Sequence, residues 1–230
     1  MEMIFLVIIL IFSIVIHEVA HGAMANHLGD PTAKYAGRLT LNPIKHLDPV
    51  GSVLVPLFLI IMQSPFLFGW ARPVPVNPYN FSDQKYGSAK VAMAGPGANL
   101  LVAIIIGFFS RFLPLGEGVR FNIIKAFLER DMETLSYLLQ GDPFAQIFLI
   151  FSFVIFINIL LAIFNLLPIP PLDGSHILFT FLPDSMENLK ILLNQYGFFI
   201  LIAFIFLGGF RLIFPLILEI FSLITGLLLI

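Results

Sequence analysis

Cysteine is absent from the 230-residue chain. Disulfides are thereby excluded, and any transition-metal site would have to be assembled from His, Asp or Glu. Charge is scarce too: Asp, Glu, Lys and Arg make up 11% of the residues, against about 25% in a typical soluble domain. A chain so poor in charge cannot clothe a folded domain in a polar surface. Its net charge of −2 makes no case for nucleic acid or for an acidic partner. The N-terminal segment lacks the basic stretch and small-residue cleavage site of a secretory signal. The apolar run that begins at Met3 therefore reads as a retained span.

What is abundant is apolar sequence, 59% of the chain, gathered into runs that suit a bilayer. Met3–Ala25, Gly87–Leu113 and Ala145–Leu167 are each long enough to cross one at about 1.5 Å per residue. Val50–Phe68 is apolar as well but is interrupted by Pro56, Gln63 and Pro65. The final stretch, Tyr196–Ile230, is too long for one span and breaks at Gly208-Gly209-Phe210-Arg211 and Pro215, which suggests two tight spans. The expected fold is an all-α polytopic membrane protein. It has about five transmembrane helices, a re-entrant segment and a small extended or β region at the membrane interface.

Inside the first run stands His17-Glu18-Val19-Ala20-His21, an H-E-x-x-H pattern. On a helix the two histidines lie one turn apart on the same face and can grip one zinc ion. Glu18 then sits beside the metal, placed to take a proton from water. In a soluble protein such a pattern can be two surface histidines. Within an apolar span that reading weakens, because an acid at membrane depth costs about 2.5–3.5 kcal/mol.

Two further polar clusters interrupt the spans. Ala94-Gly95-Pro96-Gly97-Ala98-Asn99 opens the third run, and Asn165 with Pro168-Ile169-Pro170-Pro171-Leu172-Asp173-Gly174 closes the fourth. For all three clusters to meet, the first run must end on the side where the third begins. Val50–Phe68 must therefore dip in and return, with its irregular backbone buried against protein. The connections on the motif side hold Lys34, Arg38, Lys45, Arg72, Lys85, Lys90 and Lys190, while the far side holds Arg111, Arg120, Lys125 and Arg130. That asymmetry places the motif side in the cytoplasm, in a multi-pass protein of the cell membrane.

Zinc needs a third protein ligand and an open position. The candidates are Asp173, His176, His46 and Asp48. Asp173 leads, because Pro168, Pro170 and Pro171 stop the fourth helix and let the chain turn back. Its competing use is as a helix cap, and His176 is the main rival ligand. Asn165 and Asn99 offer neutral amide donors suited to an oxyanion or a peptide backbone. Such asparagines can instead act as interhelical glue between small residues, and that is the reading for Asn158.

These elements together resemble the site-2 protease family of intramembrane zinc metalloproteases, over about Ile14 to Leu178. The resemblance rests on HEVAH, AGPGAN and FNLLPIPPLDG in that order within spans. GRLTLNPIKHLDPVGS followed by GWARPVPVNP looks like the compact bacterial and archaeal branch without PDZ or CBS domains. It implies His17, His21 and Asp173 as ligands to one zinc per chain, Glu18 as catalytic base, and Asn165 as a contact to substrate or oxyanion. One departure is Ser175-His176, where many relatives read Gly-Arg. On this reading residues 1–182 form a catalytic core and 183–230 a C-terminal transmembrane hairpin. The implied function is hydrolysis of peptide bonds within or near transmembrane segments of other membrane proteins.

Such a substrate must unwind before its peptide bond is accessible. Tyr35–Leu41 alternates weakly, and Trp70–Val76 is held extended by prolines, so an edge here is expected to pair with the unwound chain. Asn99, Tyr35, Gly37 and Leu39 are the candidate substrate contacts; the plainer reading of Tyr35–Leu41 is an interfacial loop. Two rival functions belong to other classes. A divalent-metal transporter should spread its ligands along a path and has no use for Glu18. An inactive membrane chaperone of the same fold should have lost Glu18 or a ligand, and neither is lost.

Overall fold

The computed structural model describes residues 2–62, 71–129 and 131–227. Among these it is helical, with no strand and one isolated antiparallel bridge, Leu47 to Ala71. The first helix, α1 (Glu2–His27), is followed by a single turn, α2 (Thr32–Tyr35). A π-helical turn at Pro49–Leu54 leads into α3 (Val55–Ile61). Asp48 starts that turn by accepting from the Val50 and Gly51 N–H groups. Then come α4 (Gly87–Ser110), α5 (Glu117–Glu129), α6 (Met132–Leu139) and α7 (Pro143–Asn165). The chain closes with α8 (Asp173–Phe181), α9 (Glu187–Phe206) and α10 (Phe210–Thr225).

Four of these helices are long and apolar enough to cross a membrane: Phe5–His27 of α1, α4, α7 and α9. The break between α9 and α10 falls at Gly208-Gly209, where Gly208 has a φ of 84°. The expected start of this pair at Tyr196 was late, since α9 begins at Glu187. Only 6% of the apolar window of α9 is buried. By contrast α10 packs along the core: Phe210 stacks on Phe164 at one end. At its other end Arg111, just beyond α4, donates to the carbonyls of Leu223 and Ile224.

The connection from Ser110 to Phe144 is more than a loop. Ile123, Ile124 and Ala126 of α5 and Leu135 of α6 are buried in the same core as Ala103, Phe148, Ile155 and Ile217. Phe127 meets Phe153 edge-on at 4.5 Å, about 15 Å inside the start of α7 by helical rise. Its apolar residues, too few for a span, are enough to line a groove between helices that already cross.

The extended region expected at Tyr35–Leu41 does not form. Tyr35 closes α2, and the N–H groups of Ala36, Gly37 and Arg38 bond back to Thr32, Lys34 and Ala33. Backbone groups satisfied inside one turn are not free to build a strand. The ends of the proline-interrupted segment do meet: Arg72 N–H donates to the His46 carbonyl at 2.9 Å, beside the Leu47–Ala71 bridge. Gln63, Pro65 and Trp70 lie outside the described residues.

Candidate metal centre

His17 and His21 sit one turn apart near the C-terminal end of α1, with their rings edge-to-face at 4.6 Å between centroids. Each ring has one nitrogen committed elsewhere. His17 Nδ1 donates to Asn99 Oδ1 at 2.6 Å, and His21 Nδ1 donates to the Val91 carbonyl at 2.7 Å, both acceptors lying on α4. That fixes the tautomers and leaves both Nε2 lone pairs free.

The two Nε2 atoms face Asp173 Oδ2, at 3.0 Å from His17 and 3.3 Å from His21. Ligand atoms around a tetrahedral ion at about 2.0–2.1 Å stand roughly 3.3 Å apart, so the spacing suits one zinc. Among the described residues, His17, His21 and Asp173 form the one group of three such ligands whose atoms lie close enough to hold a metal ion, within 4.8 Å of one another. Asp173 makes no capping bond, although it begins α8. Its side chain serves the histidines instead.

Two glycines make this closeness possible. A methyl group on Gly95 would fall 2.4 Å from His21 Nε2 and 2.6 Å from His17 Nε2, in the space where the ligand atoms converge. One on Gly174 would fall 2.2 Å from the Leu166 carbonyl and 2.4 Å from that of Leu167. With no Cβ there, the chain folds tightly beneath the end of α7 and brings Asp173 back to α1. The Gly after the Asp is thus a packing requirement of the ligand before it.

Glu18 is not part of the ligand group. Its Oε2 accepts from the Val74 N–H at 2.8 Å. Together with the ligands it lines a cavity of about 410 Å³, to which Pro73, Val74, Val76 and Pro78 also contribute. Asn165 lines this cavity too, and its Nδ2 donates to the Leu161 carbonyl of its own helix at 2.9 Å, leaving a second N–H on the same nitrogen. His176 lines the cavity but stands outside the ligand group. His46 does not line it; its Nε2 meets the Thr40 carbonyl at 2.9 Å.

The expected substrate contacts fare less well. Asn99 is fully buried, and its amide is used by His17, Ser13 and Asn158, so it has no surface to offer a substrate. Tyr35 is 83% exposed, and neither it, Gly37 nor Leu39 lines the cavity. Of the expected Trp70–Val76 segment, Pro73, Val74 and Val76 line the cavity.

Two residues that appeared in the sequence at most as charge hold this wall in place. Asp30, fully buried, accepts from Thr32 N–H and Oγ1, Asn77 N–H and Asn80 Nδ2. Arg38, 5% exposed, donates through Nη2 to the carbonyls of Arg72 and Pro73. The sequence shows two charged residues beside apolar spans, but not that they are buried or what they hold. The Val91 carbonyl and the Val74 N–H, being backbone groups, left no signal there.

The family model described as Peptidase family M50 matches residues 81–206. A Bacillus subtilis protein named "Putative zinc metalloprotease YwhC" is 40% identical over 200 residues, covering 86% of this chain and 78% of that protein. "Putative zinc metalloprotease Rip2" of Mycolicibacterium smegmatis is 27% identical over 194 residues, 84% of this chain and 63% of the relative. Its namesake in Mycobacterium tuberculosis is 28% identical over 162 residues, 70% of this chain and 51% of the relative. No solved structure matches the chain.

Proposed function

The chain belongs to peptidase family M50, the site-2 protease family, and is a membrane zinc metalloprotease; from that premise we propose that it cleaves transmembrane segments of other membrane proteins with Glu18 as base. The convergence of His17, His21 and Asp173 on one point, with Glu18 beside it, carries this reading. These three residues would hold one zinc ion per chain. Zinc so held supplies a Lewis acid that lowers the pKa of water toward neutrality and polarises a carbonyl. Glu18 Oε2 is engaged by Val74, so Oε1 takes the proton from the attacking water and returns it to the leaving amine. Asn165 lines the same cavity, and its remaining N–H would serve the oxygen on which negative charge develops.

The segment Arg72–Asn77 has the character of a one-sided edge. Alternate residues of an extended chain point the same way, so Val74 and Val76 share the side facing Glu18. Pro73 and Pro75 have no N–H to offer the other side, and the N–H of Asn77 is taken by Asp30. With the Val74 N–H engaged by Glu18, a locally unwound substrate can pair with the Val74 carbonyl and with the N–H and carbonyl of Val76, and so recover backbone bonds lost from its helix. Asn99, Tyr35, Gly37 and Leu39 have no part in this pairing.

The same reading gives the architecture in the membrane. α10 runs with α4 and α7 from Phe164 to Arg111 and is taken as the fifth span beside the four longer helices. Residues 50–68 are read as a re-entrant segment, which the meeting of Leu47 with Ala71 supports. The site residues all fall within 1–182, and 183–230 is the C-terminal hairpin. The site faces the cytoplasmic side of the cell membrane, as the Lys and Arg distribution favours. Transport and inactive-chaperone readings are not favoured, since the ligands form one compact cluster with an intact acid beside it.

The test is cleavage of a model transmembrane substrate in detergent by wild type, Glu18→Gln and chelator-treated protein. Glu18→Gln should retain zinc and lose cleavage, and chelation should abolish it reversibly. Cleavage by Glu18→Gln at near the wild-type rate would defeat the mechanism.

A further inference from the structure

Ser13, Asn99 and Asn158 are polar side chains, at most 3% exposed, in the middle of α1, α4 and α7. None of them lines the cavity. They form a continuous chain of bonds that ends on a metal ligand. Asn158 Nδ2 donates to the Val154 carbonyl at 2.8 Å and to Ser13 Oγ at 2.9 Å. With its donors so used, its Oδ1 is turned to Asn99, whose Nδ2 donates to it at 2.7 Å. Asn99 Nδ2 also donates to the Ser13 carbonyl at 3.1 Å, which leaves Asn99 Oδ1 for His17 Nδ1.

Each amide has two distinguishable ends, and each bond in this series decides which way the next amide faces. The Val154 and Ser13 carbonyls can only accept, so the direction of the chain is set by backbone. Its end point is an acceptor at Asn99 Oδ1, which requires the proton of neutral His17 to be on Nδ1 and its lone pair on Nε2. Resting on the metal-site reading, we propose that Asn158 and Asn99 are positioning residues, a neutral amide relay that sets the tautomer and ring orientation of His17 for zinc. Asn158 acts without touching any ligand.

The choice of amides has an electrostatic reason. A carboxylate often holds a metal-binding histidine, yet here His21 uses a backbone carbonyl and His17 an amide. Asp173 and Glu18 already balance the two charges of a zinc ion. A third carboxylate would leave an uncompensated charge among apolar helices, which is costly. Amides orient the histidine without that charge.

A pure packing role for the asparagines gives opposite expectations. Zinc affinity is measured by chelator competition on purified protein at fixed pH, alongside the helix content and thermal midpoint of the zinc-free form. Asn158→Leu is close in size and apolar; it removes the acceptor that orients Asn99, and zinc affinity should fall about ten- to hundredfold. Asn158→Thr is close in size and neutral; its hydroxyl can donate to the Val154 carbonyl and accept from Asn99 Nδ2, so it should bind zinc clearly more tightly than Asn158→Leu. If Leu binds like wild type, or Thr binds as poorly as Leu, the relay is overturned. Should Asn158→Leu yield no folded protein, Ser13→Ala against Ser13→Thr decides: Ala should weaken zinc binding and Thr, which keeps a hydroxyl, should not. Equal affinities for those two overturn the relay as well. Wild type and Asp173→Ala serve as reference, since a wild type that bound no zinc would defeat the metal site itself.

Discussion

The backbone N–H of Val74 donates to Glu18 Oε2 across 2.8 Å, joining the acid of the H-E-x-x-H motif to a segment 56 residues further along the chain. One carboxylate oxygen is thereby fixed and the other left for the proton. A hydrogen bond to a charged group is worth about 1.5–3 kcal/mol. Val74→Pro removes that donor and exchanges the buried isopropyl group for a ring, in a stretch that already contains Pro73 and Pro75. Zinc content should be unchanged and kcat should fall roughly tenfold or more, whereas Val74→Ile should stay near wild type. An undiminished kcat in a folded Val74→Pro protein would show that Glu18 does not need this bond.

Gly95 is the second point of pressure. A methyl group there would intrude within 2.4 Å of His21 Nε2, while Ala is otherwise about 1 kcal/mol better than Gly in a helix. In the zinc-free protein the same clash opposes that gain, because Asn99 and the Val91 carbonyl hold both rings, so Gly95→Ala should be no more stable than wild type. Its zinc affinity should drop by at least about tenfold, as for a disturbed ligand shell. Zinc titration of the purified variant checks this, and unaltered affinity would mean that the histidines can move aside.

The ligands and the base should separate cleanly. His17→Ala, His21→Ala and Asp173→Ala should each lose zinc and activity together. Asp173→Ala with full zinc and full activity would move the third ligand to His176, which lines the same cavity.

Asp30 predicts an acid dependence. Burial pushes its carboxyl up, but the bonds from Asn77, Thr32 and Asn80 outweigh that and hold its pKa below the usual value. A depressed pKa stabilises the fold above the unfolded value, about 3.9, and the gain is lost as pH falls through the folded value. The thermal midpoint of wild type in detergent should thus drop more steeply below about pH 4 than that of Asp30→Asn. Asp30→Ala at neutral pH should cost about 2–3 kcal/mol, because several buried donors lose their acceptor. Identical acid profiles for wild type and Asp30→Asn would show that Asp30 does not tie down the cavity wall.

The re-entrant reading of residues 50–68 has its own test. Arg72 bonds to His46, so single cysteines at positions 45 and 72 should react with a membrane-impermeant thiol reagent from the same, cytoplasmic, face. The chain has no other cysteine to confuse the result. Labelling from opposite faces would mean that the segment crosses.

Much of the site was legible because its determinants are local. Helical periodicity alone puts His17 and His21 on one face, apolar length sets α4 and α7, and Pro168, Pro170 and Pro171 stop the helix and let the chain turn back at Asp173. Asn158 was read correctly as an interhelical contact, but its position behind His17 was not visible. Tyr35–Leu41 misled because weak alternation says nothing about whether backbone groups are already satisfied in a turn. In the sequence the connection between Ser110 and Phe144 shows only its charges, Arg111, Arg120, Lys125 and Arg130, because its apolar residues are too few to span, yet they suffice to pack between helices already in place.

The sequence by itself determined the apolar class, the two histidines, the acid between them and the returning aspartate. Only the tertiary structure decided what orients them: the Val91 carbonyl and Asn99 behind the rings, Val74 on Glu18, and Asp30 and Arg38 behind that segment. The reason is physical. Spacing within a helix or a proline turn is set by neighbouring residues, whereas these bonds run between elements, several through backbone groups common to every residue, and exist only once the helices have packed.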